Sequence, residues 1–361
     1  MPESFFGPEL AAHADHPALT LLSALLDAPA VSGHEEGVAQ IVRDTLTAWG
    51  YAPETDAAGN VLVRFAGDGP LVCLAAHTDE IGMVVAGIND DGSLRVERSG
   101  GLYPWKLGEG PVEIRGDQAA ITGVLSMGST HRAGAEDEAV RWRDVRVLTG
   151  LTPGQLAAAG VRAGSPATPV RGMRGPVVFG DPADPLVAAW TFDDRMGVVA
   201  LLRMLEQMAA DGIEPRVPLI VAFTTGEEIG GLGAKSLAFR EKPEIVIAVD
   251  GCPTPPEAPL ALDGRPGIWT KDRLAAYDPA LVRDLCAMAV DVGTELQPAV
   301  YTSTASDASL LHYAGLAPRI ACFGHVRENS HGYEVARLAV FDRVVDVLVE
   351  FVRNYDSRIQ D

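Results

Sequence analysis

Residues 71–80 read LVCLAAHTDE. A short, unbroken apolar run of this kind is the pattern of a strand buried on both faces, and it stops at His77. Two further runs behave alike. VPLIVAFTTG (217–226) leads to Glu227-Glu228, and EIVIAVD (244–250) ends on Asp250. Around them the periodicity turns helical. DDRMGVVALLRMLEQMAADG (193–212) carries Val198, Val199, Leu201, Leu202, Leu205 and Met208 on one stripe. GLGAKSLAFR (231–240), PALVRDLCAMAVDVG (279–293) and a segment from about Val340 to Asn354 read as further helices, and PRIACFG (318–324) as another strand. Ser32-Gly33-His34-Glu35 has capping-box spacing ahead of the helical GVAQIVRDTLTAWG.

Between about Gly82 and Gly180 the texture differs. Short runs (MVVAGI, SLRVE, PVEIRG, AAITGVL, RDVRVL, PVVF) alternate with Gly, Asp and Pro turns, and TPGQLAAAG alone reads as helix. That pattern predicts a compact all-β unit, a barrel or sandwich. Alternating strands and helices on either side predict one α/β domain, residues 1–81 and 181–361, interrupted by an inserted β domain, residues 82–180.

The chain has 361 residues, 47% of them hydrophobic and 22% charged, enough for a large core and unlike a disordered chain. With 29 Lys and Arg against 49 Asp and Glu, its net charge is −20, which repels phosphate backbones and anionic lipid. We therefore expect neither a nucleic-acid nor a membrane partner. Cys73, Cys252, Cys286 and Cys322 are scattered without a CxxC pair, arguing against a disulfide framework or a thiolate zinc site. MPESFFGPELAAHADH lacks the basic segment and apolar run of a signal peptide, and no apolar run reaches membrane-span length. The expected location is the cytoplasm.

In an open α/β sheet, functional groups collect at the carboxyl ends of strands. There the chain places His77-Thr78-Asp79-Glu80, Glu227-Glu228 and Asp250; Asp193-Asp194 opens the long helix, and His331 lies in the polar turn RENSHGYE. Each has a bland reading. Asp193 could cap its helix, Glu227 and Glu228 could be first-turn acids, Asp250 could cap a turn, and each histidine could be a satisfied core or surface group. Joint placement favours a metal centre, because several carboxylates at one edge repel unless a cation neutralises them. Mixed nitrogen and oxygen donors suit zinc, cobalt or manganese rather than calcium. In extended chain His77 and Asp79 point to one side, so Asp79 can accept from the second imidazole N–H. Of two adjacent glutamates, one can hold metal while the other acts as general base. Asp193 can offer one oxygen to each of two cations.

SGHEEG, DAAGNVLV, AAHTDEIGMVV, TFDDRMGVVALL, FTTGEEIGGLGAKSL, AVDGC and ENSHGYEV together resemble the M42 family of metallo-aminopeptidases, within the wider clan of co-catalytic dinuclear metallopeptidases. GVLSMGSTH in the inserted region is similar to a Gly-Val-Ile stretch of that family that leads to a His. The resemblance covers essentially the whole chain. It implies a mixed-sheet α/β/α metallopeptidase domain with a barrel-like insert that mediates oligomer contacts or substrate access, and a homo-oligomer, in many members a dodecameric tetrahedral shell. It implies two divalent ions, zinc or cobalt, bridged by Asp193. His77 and Asp250 would complete one shell, and Glu228 and His331 the other. Glu227 would be the general base and acid, and Asp79 the residue orienting His77. The implied reaction is removal of N-terminal residues from short peptides.

The chain departs from the family in three places. Thr78 stands where Met is frequent. RENSHG replaces Arg-Tyr-Ile-His-Ser, which leaves His325 as an alternative to His331. Ser303 to Ala308 (STASDA) is only loosely similar to a Gly-Thr-Asp-Ala loop near the substrate pocket, a likeness that makes Asp307 a candidate substrate contact. Lys106, Arg195 and Lys235 are candidates for contacting acidic groups or are structural cations. The competing functions are a metal-dependent dipeptidase or deacylase acting on small amides, and a non-catalytic assembly module. A nucleotide enzyme is disfavoured, since the chain has no GxxxxGK[ST].

Overall fold

The computed structural model describes residues 13–129, 131, 139–258 and 260–355. Its centre is an eight-stranded mixed sheet. From edge to edge the strands are Glu54–Thr55, Val61–Phe65, Leu219–Thr224, Val72–His77, Ile245–Val249, Arg319–Gly324, Gly267–Lys271 and Gln297–Val300. The four strands from Leu219–Thr224 to Arg319–Gly324 run parallel, with Thr224 in register with His77 and Ala248 with Ala75. Their carboxyl ends therefore stop at one edge.

The apolar run at 72–77 is continuous because it faces two cores. Val72, Leu74 and Ala76 pack into one cluster with the helices Pro17–Leu26, Glu36–Ala48, Phe192–Asp211, Pro279–Asp291 and Ala339–Asn354. Cys73 and Ala75 point to the opposite cluster, with Leu232–Glu241 and Asp307–Tyr313. Among the described residues no helix is long and apolar enough to cross a membrane.

The inserted region forms a closed six-stranded antiparallel barrel, in the order Gly82–Ile88, Leu94–Ser99, Arg146–Leu148, Ala120–Ser126, Gly110–Arg115 and Pro166–Pro169. Met83, Val85, Leu94, Val96, Val112, Ile114, Leu125 and Val147 fill it from alternating positions. The closing strand, PATP, escapes sequence reading because prolines at both ends disguise it; its inner residue Ala167 pairs with Met83 and Ile114. The run PVVF belongs elsewhere. Val177–Phe179 pairs with Leu186–Trp190, which pairs with Tyr333–Arg337 in a separate three-stranded sheet. In that sheet Trp190 lies opposite Tyr333, so the segments 191–194 and 330–334 meet.

The capping-box expectation fails. The helix begins at Glu36 with Glu35 at its N-cap position and no side-chain capping bond. A buried carboxylate competes for the hydroxyl: Ser32 Oγ donates to Asp79 Oδ2 at 2.6 Å.

Both ends of the barrel insertion are tied to the sheet edge by a buried ion cluster. Glu80 receives two hydrogen bonds from Arg174 Nη2, at 2.8 and 2.7 Å, and Arg195 Nη2 lies 3.6 Å away. Arg195 Nη1 also donates to the Thr78 carbonyl. Arg195 is thus a structural cation. Lys235 Nζ is engaged by the Gly230 carbonyl at 2.7 Å, and Lys106 sits over the Trp105 ring.

Candidate metal centre

Three strand ends, one helix start and one turn build the centre. His77 is the last residue of its strand, Glu227 and Glu228 follow Thr224 through the left-handed Gly226, and Asp250 lies one residue beyond Val249. Asp193 and Asp194 depart from helical backbone geometry, so the regular helix starts after them. Asp194, rather than Asp193, serves that helix start: its Oδ1 accepts from Gly197 N at 3.0 Å.

His77 Nε2 lies 3.0 Å from Asp193 Oδ1. His331 Nε2 lies 3.4 Å from Asp193 Oδ2 and 3.8 Å from Glu228 Oε1. Each imidazole is oriented through its other nitrogen. His77 Nδ1 is 3.1 Å from the Asp79 carbonyl and 3.3 Å from its carboxylate; His331 Nδ1 is 3.1 Å from the Gly101 carbonyl. This is the arrangement that presents a histidine lone pair to a metal. Gly101 has to be glycine, since a Cβ there would stand 2.6 Å from His331 Nδ1.

Donor atoms of His77, Asp194 and Asp250 lie within 4.8 Å of one another, as do those of His77, Asp193 and Glu228. Asp194, outside the sequence-derived set, thus stands among the converging donors, with its oxygens accepting from Gly197 N and His77 N. His331 adjoins the second group through Asp193.

The electrostatics call for positive charge. Burial, followed by repulsion from Asp193, pushes Asp250 up to about 7; burial likewise pushes Glu228 to about 7. Burial raises Glu227 well above the usual carboxylate range against the attraction of His77, and Asp307, Glu228 and Asp250 add repulsion. Burial also opposes charge on Asp193, but Arg327, His331 and His77 hold it well below that range. Glu228 Oε1 is buried with no hydrogen-bond partner. A cation is the ligand this donor set fits.

Asp79 organises the turn carrying Glu227 and Glu228 as well as His77. Its Oδ1 accepts from Glu227 N at 3.0 Å and its Oδ2 from Glu228 N at 3.1 Å. Two residues escaped the sequence reading. Glu334 is fully buried and accepts from Asp193 N at 2.9 Å and His331 N at 3.0 Å. Arg327 lies 3.3 Å from Glu334 and donates to Asp193 Oδ2. The only available signal was a lone acid in the apolar strand YEVAR.

A pocket of about 320 Å³ opens beside the carboxylates. Asp193, Glu227, Glu228, Asp250 and His331 line one side, and Trp269, Arg273, Ser303, Thr304, Ala305 and Leu310 line the other. Asp307 is not in this lining; it is buried and accepts from Thr224 Oγ1 at 2.6 Å, while the loop before it supplies the wall.

His325 is outside the centre. It is fully buried, with its ring 5.2 Å from that of Phe341 and neither nitrogen hydrogen-bonded. Burial, reinforced by Arg327, pushes it down to about 3 from an ordinary 6.5. Between those values the unfolded chain binds one more proton than the folded one. Stability from this group is therefore complete above pH 6.5 and falls as pH drops towards 3, by roughly 1 kcal/mol per unit. Urea unfolding at about pH 7.5 and about pH 5 checks this: His325→Leu should lose less stability on acidification than the wild type. Equal losses would contradict the assignment.

The sequence pattern of the M42 glutamyl aminopeptidase family matches residues 59–347, and the chain belongs to that family. It is 29% identical to the lysyl aminopeptidase of Pyrococcus furiosus over 64% of this chain and 65% of that protein. It is 26% identical to a putative aminopeptidase of Acetivibrio thermocellus over 89% and 94%. The match thus spans just under two thirds of the Pyrococcus enzyme. Among solved structures, the TET aminopeptidase of a marine-sediment Thaumarchaeota archaeon superposes with a TM-score of 0.86 at 22% identity, over 94% of this chain and 97% of that one. The Pyrococcus horikoshii TET1 peptidase, which assembles into a tetrahedron or a large octahedral shell, gives 0.83 at 24% identity over 94% and 100%. The fold is that of the TET aminopeptidases.

Proposed function

We propose that this chain is a cytoplasmic aminopeptidase that removes N-terminal residues from short peptides with two divalent cations, zinc or cobalt and alternatively manganese. The observation that carries the reading is the meeting of His77, Asp193, Glu228, Asp250 and His331 around a buried, mutually repelling carboxylate cluster that Glu227 adjoins. His77 and Asp250 would hold one ion, Glu228 and His331 the other, and Asp193 would serve both. The ions would supply Lewis-acid polarisation of the scissile carbonyl and a water acidic enough to react near neutral pH. Glu227 takes the proton from the attacking water and returns it to the leaving amine. Asp79 holds His77 and both backbone amides of the Glu227-Glu228 turn in place.

We further propose that residues 1–81 and 181–361 form the catalytic domain, and that residues 82–180 mediate homo-oligomerisation, a dodecamer by family resemblance, and control access. Support for assembly comes from the structural relatives, one of which forms closed shells.

Arg273 suggests the substrate preference. It is exposed, lines the pocket, and has no side-chain hydrogen bond or ion pair among the described residues. A guanidinium with no side-chain partner among the described residues fits an N-terminal Glu or Asp side chain entering this pocket. Kinetics on a panel of aminoacyl p-nitroanilides and N-acyl amino acids tests the whole reading. We expect release from aminoacyl substrates, highest for acidic residues. Arg273→Ala should lower kcat/KM for Glu roughly 10- to 100-fold with little change for Leu. Hydrolysis of N-acyl amino acids alone would favour the deacylase reading instead.

A further inference from the structure

The segment SGHEEG, which the fold does not use as a helix cap, has another role. Ser32 and Glu35 are only 9% and 8% exposed, in the loop before the helix Glu36–Ala48. The loop is anchored from behind, since Val31 forms a parallel bridge with Glu80 and His34 N donates to the Val31 carbonyl at 2.8 Å. Forward, Ser32 Oγ donates to Asp79 Oδ2 at 2.6 Å, the oxygen that also accepts from Glu228 N. Glu35 Oε1 accepts from Gly226 N at 3.2 Å and from Gly33 N at 2.9 Å. Gly226, Glu227 and Glu228 are three successive residues. Glu35 grips the first directly, and Ser32 grips the others through Asp79.

We infer that Ser32 and Glu35 are positioning residues: together they form a strap that fixes the Asp79 carboxylate and sets the backbone of the turn carrying Glu227 and Glu228. The contact is to backbone amides and a carboxylate, so it governs where the turn lies rather than which substrate enters. Ser32 limits the rotation of Asp79 through its hydrogen bond to Oδ2. Glu35 does the same for Gly226, whose φ of +66° puts it at the point where the chain reverses. The consequence for turnover rests on the function proposed above; the consequence for the turn does not.

Two readouts on the full-length protein separate these. The first is amide hydrogen exchange of the peptide spanning residues 224–230, measured without added metal. Ser32→Ala and Glu35→Ala should each speed exchange there about tenfold, while Ser32→Thr and Glu35→Gln, which keep the donor and the acceptor, stay near wild type. The second is steady-state kinetics after zinc loading. The alanine variants should lose about tenfold or more in kcat with KM within about twofold, and the conservative variants should recover most of it. On an Asp79→Ala background, Ser32→Ala should cost nothing further, because its effect passes through Asp79.

Unchanged exchange in both alanine variants would overturn the strap. So would equal damage from Glu35→Gln and Glu35→Ala, or a full additive loss with Asp79→Ala. A wild-type protein inactive on every aminoacyl substrate would instead count against the proposed function, leaving the exchange result to decide the strap.

Discussion

Glu227→Gln is expected to lower kcat by about 10²- to 10⁴-fold while leaving metal content near that of the wild type. The amide keeps the size and much of the polarity of the carboxylate but cannot take a proton from water. Glu227 is not part of either cluster of converging donor atoms, and its backbone amide, held by Asp79, is untouched by the substitution. KM should therefore change little, since the lost interaction is made only in the transition state. Kinetics beside metal analysis on the same sample checks this, and substantial residual turnover would remove Glu227 from its assigned role.

The second large effect is expected at Asp193. Its carboxylate meets His77, His331 and Arg327. Asp193→Ala should abolish metal retention on dialysis and reduce turnover by about 10³-fold or more. It should also destabilise the fold by about 3 kcal/mol, because the Arg327 guanidinium is left buried beside a cavity. Asp193→Asn keeps the shape and an acceptor oxygen. It should recover part of the stability but little of the metal binding, and this separates the two roles. A variant that keeps its metal would contradict the bridging assignment.

The sheet strands were legible because burial on both faces leaves an unmistakable local mark, the unbroken apolar run ending in a polar group. That mark located His77, Glu227, Glu228 and Asp250 together. The barrel strands were legible by alternation, except where proline hides the pattern at Pro166–Pro169. The strand Gly267–Lys271 and the edge strand Gln297–Val300 beside it are short and mixed in composition, so their pairing is decided by neighbours rather than by local pattern. Long-range partners explain the other misses. Ser32 has the spacing of a cap, yet its acceptor is an acid 47 residues away. Glu334 reads as an ordinary strand residue, and only the pairing of Trp190 with Tyr333 brings it beneath Asp193. Between the two late histidines, burial against Phe341 puts His325 in the core, while His331 adjoins Asp193, a distinction that spacing does not encode.

In the proposed function these side chains hold two divalent cations. Anomalous diffraction from crystals of zinc-loaded protein tests this most directly. Two strong peaks per subunit are expected, among His77, Asp193, Glu228, Asp250 and His331. No peak at that position, or zinc held only by unrelated surface groups, would contradict it.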